Sequence, residues 1–121
     1  MTPFGQRVRE LRGARGVTLT AMAQALGVTP TYLSALENGK RGQPTWAMVQ
    51  RIIAYFNVIW DDAEDLQRLA QLSHPKVVVD TAGLSPEATE LANILAQEIA
   101  LLPREAVAEL LGRLKILRRR G

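Results

Sequence analysis

The chain has no cysteine and a single histidine, His74, and each shortage removes a class of function. Without cysteine there is no disulfide scaffold, no thiolate nucleophile and no cysteine-ligated zinc or iron–sulfur site. One imidazole is too few for a histidine-rich metal site or a zinc-protease motif. No metal and no cofactor are therefore expected. Long apolar runs are missing too, since none approaches the ~18 residues that a membrane span needs. The opening Met-Thr-Pro-Phe-Gly-Gln-Arg lacks the apolar core of a signal peptide. Clustered carboxylates, a nucleophile–histidine pair and a glycine-rich phosphate loop are all absent, so no catalytic residue can be named. What remains is a chain of 121 residues, 47% hydrophobic, of a size that suits one domain or a small domain with an appendage. The expectation is a soluble cytoplasmic protein, with no membrane partner, that binds rather than catalyses.

Charge is present, but it is segregated. The formal net charge is +3. Residues 1–60 set seven basic side chains against Glu10 and Glu37, for a net +5. Residues 61–112 set Arg68, Lys76 and Arg104 against ten acids, for a net −7. The last nine residues return +5 through Arg113, Lys115, Arg118, Arg119 and Arg120. A basic module, an acidic module and a basic end suggest that the first half meets a polyanion and the second does another job. The plainer alternative is a set of solvated helix faces.

Spacing and punctuation predict short helices throughout. Phe4, Val8 and Leu11 share one helical face, ending near Gly13–Gly16. Thr18 reads as an N-cap for a second helix burying Met22, Ala23 and Leu26, stopped by Gly27. Thr29 followed by Pro30 is a cap with proline at the first helical position, and that helix runs to Asn38-Gly39. Thr45 caps a fourth helix with Trp46, Val49, Ile52, Ile53 and Phe56 on one side. Asp61 and Glu64 stand at capping-box spacing before Leu66, Leu69 and Leu72. Beyond Ser73-His74-Pro75 the composition changes, and Lys76-Val-Val-Val-Asp80 is the one segment of strong β character. It has no second strand to pair with in this chain, so a second copy is the economical mate. Ser85-Pro86 opens a sixth helix reaching about Leu102, and Pro103 begins a seventh. The expected domains are residues 1–73, a strand–helix–helix module at 74–117 and a basic tail at 118–121. His74 reads as a linker residue.

The second and third helices, joined by Gly27-Val28-Thr29, have the anatomy of a helix-turn-helix. Val28, Leu33 and Leu36 would hold the third helix on the core and leave Pro30, Thr31, Ser34 and Ala35 exposed, with Tyr32 at the flank. Glycine, cap, apolar spacing and Leu36-Glu37-Asn38-Gly39-Lys40 all fall in register. On these residues, over roughly 4–66, the sequence resembles the Cro/cI-like XRE family of bacterial and phage transcriptional regulators. The resemblance implies a mainly all-α fold: a five-helix, lambda-repressor-like DNA-binding domain, here followed by a C-terminal strand and two-helix dimerisation module. It implies that the third helix enters the major groove of double-stranded DNA. Pro30, Thr31, Ser34 and Ala35 then stand where bases are touched, and Thr18, Tyr32, Asn38, Lys40 and Arg41 where phosphates are. It also implies a salt bridge between Arg12 and Glu37, against the plainer reading of Glu37 as a surface acid at a helix end. Two departures stand out. Leu19 replaces a common glutamine, and the recognition face has no Arg, Asn or Gln for bidentate base contacts.

For the second half the expectation is homodimerisation through Val77, Val78, Val79, Leu91, Leu95, Ile99, Leu102, Val107, Leu110 and Leu114; the alternative is helices that cap the first domain. Arg118–Arg120 could reach DNA, meet an acidic partner or serve solubility. The leading expectation is a cytoplasmic, nucleoid-associated repressor on a palindromic operator. An antitoxin that autoregulates its operon is the runner-up, and an adaptor without DNA, binding a protein partner through the acidic module, is a third reading.

Overall fold

The computed structural model describes residues 1–40 and 42–120. Among them seven α-helices follow one another: α1 (Pro3–Arg15), α2 (Leu19–Leu26), α3 (Pro30–Glu37), α4 (Trp46–Phe56), α5 (Trp60–Gln71), α6 (Pro86–Glu98) and α7 (Arg104–Arg120), with a 3₁₀ turn at Ile99–Leu101. They fall into two compact units, Met1–Val77 and Val78–Gly121.

In the first unit the helix starts are set by side chains that accept orphan backbone N–H groups. Thr2, Thr18, Thr29 and Thr45 each cap their helix, accepting from the N–H of Gly5, Ala21, Tyr32 and Met48 at 3.0–3.1 Å. Pro3 and Pro30 stand in the first turns of α1 and α3, where a missing N–H costs nothing. Gly16 and Gly27 end α1 and α2 in the left-handed region, at φ 63° and 72°. The apolar faces this exposes to one another are Phe4 and Val8 of α1, Met22, Ala23 and Leu26 of α2, and Leu33 and Leu36 of α3. Met48, Val49, Ile52 and Phe56 of α4 and Leu66 and Ala70 of α5 complete the core. Full burial of each large side chain is worth about 1.5–3 kcal/mol, enough together to hold a small domain. Buried Ser73 joins the two ends of the unit: its Oγ accepts from the Phe4 N–H at 3.0 Å and donates to the Leu69 carbonyl at 2.6 Å.

Three expectations are corrected here. Asp61 is not the cap of α5; the helix starts at Trp60, the flanking Ile59 offers no capping side chain, and Asp61 and Asp62 lie in the first turn, where they complement the helix dipole. Trp46, the first residue of α4, is 64% exposed rather than on the core side, and Met48 takes its place. Leu72 ends α5 exposed, leaving Leu66 buried and Leu69 partly so.

The second unit holds α6 and α7. Ser85 caps α6, accepting from the Ala88 N–H at 3.2 Å, with Pro86 at the first position. The helix stops at Glu98, and the 3₁₀ turn carries the chain to Leu102. Arg118–Arg120 are the last turn of α7, not a separate tail. The strand expected at Lys76–Asp80 does not form, and no strand occurs among the described residues. A ladder needs a second backbone to receive its N–H and C=O groups. Val77, Val78 and Val79 are accordingly all exposed and outside any regular element. Neither α6 nor α7 contains a buried residue.

Candidate nucleic-acid interface

Helices α2 and α3 meet through the left-handed turn at Gly27, backed by Arg51, whose guanidinium donates to the Leu26 carbonyl at the end of α2. Leu33 and Leu36 face inward, so the opposite side of α3 is left to solvent. Pro30 and Thr31 are exposed and Ser34 and Ala35 half-buried. With Asn38 and Lys40 these four line one shallow concavity of about 390 Å³. The structure thus brings together every residue expected to face bases and two of those expected to face phosphates.

Several of these side chains already have internal work. Thr18 caps α2 and is exposed. Asn38 Nδ2 donates to the Ser34 carbonyl at 2.9 Å and reaches Ser34 Oγ at 3.5 Å, which closes the end of α3. The Lys40 N–H returns to the Ala35 carbonyl at 2.9 Å across Gly39, φ 80°, leaving the exposed lysine side chain beside the face of α3. Tyr32 packs against the core. Arg41 lies outside the described residues.

The orientation of α3 is governed from α1. Arg12 Nε donates to Glu37 Oε2 at 2.9 Å and Nη2 to Oε1 at 3.0 Å, a two-pronged pair on a carboxylate that is 2% exposed. Such planar pairing fixes angle as well as distance. Two further contacts were missed by sequence reasoning. Arg9 Nε stands 3.6 Å from Glu37 Oε1, giving the carboxylate a second cation. A Cβ on Gly5 would lie 1.9 Å from the Glu37 carbonyl oxygen, so only glycine allows α1 to approach the end of α3 this closely. The Thr2 N–H reaches the same carbonyl at 3.4 Å. Spacing puts Gly5, Arg9 and Arg12 on one helical face, at 4 and 3, but does not say which element that face meets.

Of the residues expected at a dimer interface, Leu95, Ile99, Leu102, Val107, Leu110 and Leu114, together with Leu111, line an apolar groove of about 220 Å³ within the second unit. Leu91 is 66% exposed. Among the described residues no cluster of His, Cys, Asp or Glu could hold a metal ion, and no helix is long and apolar enough to cross a membrane.

A five-helix bundle with a capped, glycine-turned α2–α3 pair and a locked α3 defines a helix-turn-helix domain. Comparison with known proteins agrees. The helix-turn-helix domain family matches residues 3–66, more than half of the chain, and the chain belongs to that family, in the XRE class of regulators its signature residues resemble. It is 40% identical over 62 residues to RghRB of Bacillus subtilis, described as an uncharacterized HTH-type transcriptional regulator, covering 51% of this chain and 45% of that protein. It is 38% identical over 52 residues to the HTH-type transcriptional repressor RghR of B. subtilis, covering 43% and 38%. To the HTH-type transcriptional regulator SinR of the same species it is 30% identical over 55 residues, covering 46% and 50%. The matches span half or less of the length of these relatives. No solved structure gives a significant match.

Proposed function

We propose that the chain is a sequence-specific DNA-binding transcriptional repressor that works as a homodimer in the cytoplasm, at the nucleoid. Residues 30–38 enter the major groove of each half of a palindromic operator. The observation that carries this reading is the free face of α3, Pro30, Thr31, Ser34 and Ala35, on a helix held at a fixed angle by Arg12 and Glu37. Thr31 and Ser34 each offer a hydroxyl, and Ala35 a methyl that fits against thymine. With no bidentate reader on this face, much of the specificity comes from DNA shape and from paired half-sites. Lys40, with Arg41 beside it in sequence, clamps the backbone; Thr18, Tyr32 and Asn38 flank it. The exposed apolar groove of the second unit, with Val77, Val78 and Val79, supports dimerisation. The division into a DNA-binding domain at 1–73 and a dimerisation module at 74–117 follows from these roles, with Arg118–Arg120 ending α7.

The test is a gel shift of the full chain on its own upstream region. Retardation should fall steeply between about 50 and 200 mM salt, as release of counterions from several phosphates requires. Lys40→Ala should weaken binding and reduce the salt slope by about 0.9. Absence of any selected duplex, with no effect of Lys40→Ala, would sink the reading. Co-purification of a small basic toxin would move it to the antitoxin alternative.

A further inference from the structure

The two helices of the second unit flank one apolar groove and are not packed together along their lengths. Leu95 and Ile99 on one arm and Val107, Leu110, Leu111 and Leu114 on the other line its inside, and the described residues supply nothing to fill it. The apolar stripe on each arm continues toward the open end and then stops at a charge. On α6, stepping back four residues at a time from Leu95 gives Leu91 and then Glu87. On α7, stepping forward by four from Leu110 gives Leu114 and then Arg118. Residues four apart share a helical face. Glu87 therefore stands eight residues before Leu95, and Arg118 eight after Leu110 and four after Leu114, the last groove-lining residue of α7, with eight residues spanning about 12 Å along a helix. The two charges are opposite in sign, yet among the described residues neither forms an ion pair.

We infer that the groove is filled by the hairpin of a second copy, with α6 of each chain against α7 of the other and Glu87 of one paired with Arg118 of the other. This rests on the homodimer reading and specifies its register. The two hairpins point the same way. Opposed hairpins would set Glu87 and Glu90 of α6 beside Glu105 and Glu109 of the other copy's α7, like charge against like. Parallel hairpins set the acidic start of α6 beside the basic end of α7, which carries Arg113, Lys115, Arg119 and Arg120 as well as Arg118. They also bring the two α6 N-termini, the ends joined to the helix-turn-helix units, to the same side, as one duplex requires of two half-sites. Charge at the ends of an apolar seam chooses partner and register more than it adds affinity.

The experiment is sedimentation of the full-length chain, with Glu87→Lys and Arg118→Glu variants measured alone and mixed. Each charge also suits the terminus of its own helix, so weakening by a single variant is not enough. Alone, each should raise the dimer dissociation constant roughly three- to tenfold at low salt. Mixed, they should form a heterodimer as tight as wild type. In that heterodimer the two substituted positions face each other with their charges exchanged, the two unsubstituted ones keep the native pair, and both pairs are complementary. Pairing within a chain, or a purely local effect on the helix ends, cannot be rescued by mixing. A mixture with no preference for the heterodimer overturns the register while leaving the dimer standing. A wild-type chain that stays monomeric defeats the dimer reading itself. Loss of DNA binding in Arg118→Glu at an unchanged dimer constant assigns the residue to DNA and also overturns the pairing.

Discussion

The two units of the chain use hydrophobic residues at similar helical spacing and reach opposite results. In Met1–Val77, side chains from all five helices converge, and Phe4, Met22, Leu33, Ile52, Phe56 and Leu66 are essentially removed from water. In Val78–Gly121, Leu91, Leu95, Ile99, Leu110 and Leu114 form equally regular stripes, and all are 41–66% exposed. Two helices alone form no closed core, so their apolar faces stay in water within this unit. The first unit closes a core of its own; the second buries no residue of α6 or α7.

Substitutions should separate the units. Among the largest effects is that of Leu33→Ala, which opens a cavity between α3 and the core and should cost about 2–5 kcal/mol, read in denaturant unfolding. The comparable truncation Leu114→Ala should leave that transition where it is and lower self-association instead. If both variants unfold the chain together, the two regions do not differ as described. Next, Glu37→Ala leaves two guanidiniums without their buried acceptor and should cost about 3–5 kcal/mol. Gly5→Ala should destabilise by about 1–3 kcal/mol, because α1 and α3 must separate to admit the methyl group. Its operator affinity should drop further than the loss of folded protein explains, since α3 is tilted. Equal losses would make Gly5 a packing residue only. The smallest effect is expected from Thr29→Ala, about 1 kcal/mol for the lost cap of α3, with no change in self-association.

What was legible in the sequence was mostly local. Thr18, Thr29-Pro30, Thr45 and Ser85-Pro86 announce helix starts because a cap acts within three residues. The Arg12–Glu37 pair, 25 positions apart, came from the resemblance to a family and not from spacing. Contacts that depend on where elements meet stayed hidden: Gly5 against Glu37, Arg9 on the same carboxylate, and Ser73 tying α5 to α1. Trp46 misled because helical spacing leaves the choice of inward face open by a residue or two, and α4 turns Met48 and Val49 inward while its first residue stays in solvent. Val77–Val79 misled for a related reason, since β propensity describes a side chain's fitness for a sheet and supplies no neighbouring strand. The candidate binding face was legible as the remainder of α3 once Leu33 and Leu36 were assigned to the core.

The central claim is that the free face of α3 reads DNA as one of a pair. It is tested most directly by selecting binding sites for the full-length chain from random duplexes and footprinting the winners. The account predicts protection of two inverted half-sites centred about 10 base pairs apart, lost in a Ser34→Glu variant that remains folded. Failure to enrich any duplex, or an unchanged footprint with Ser34→Glu, would contradict it.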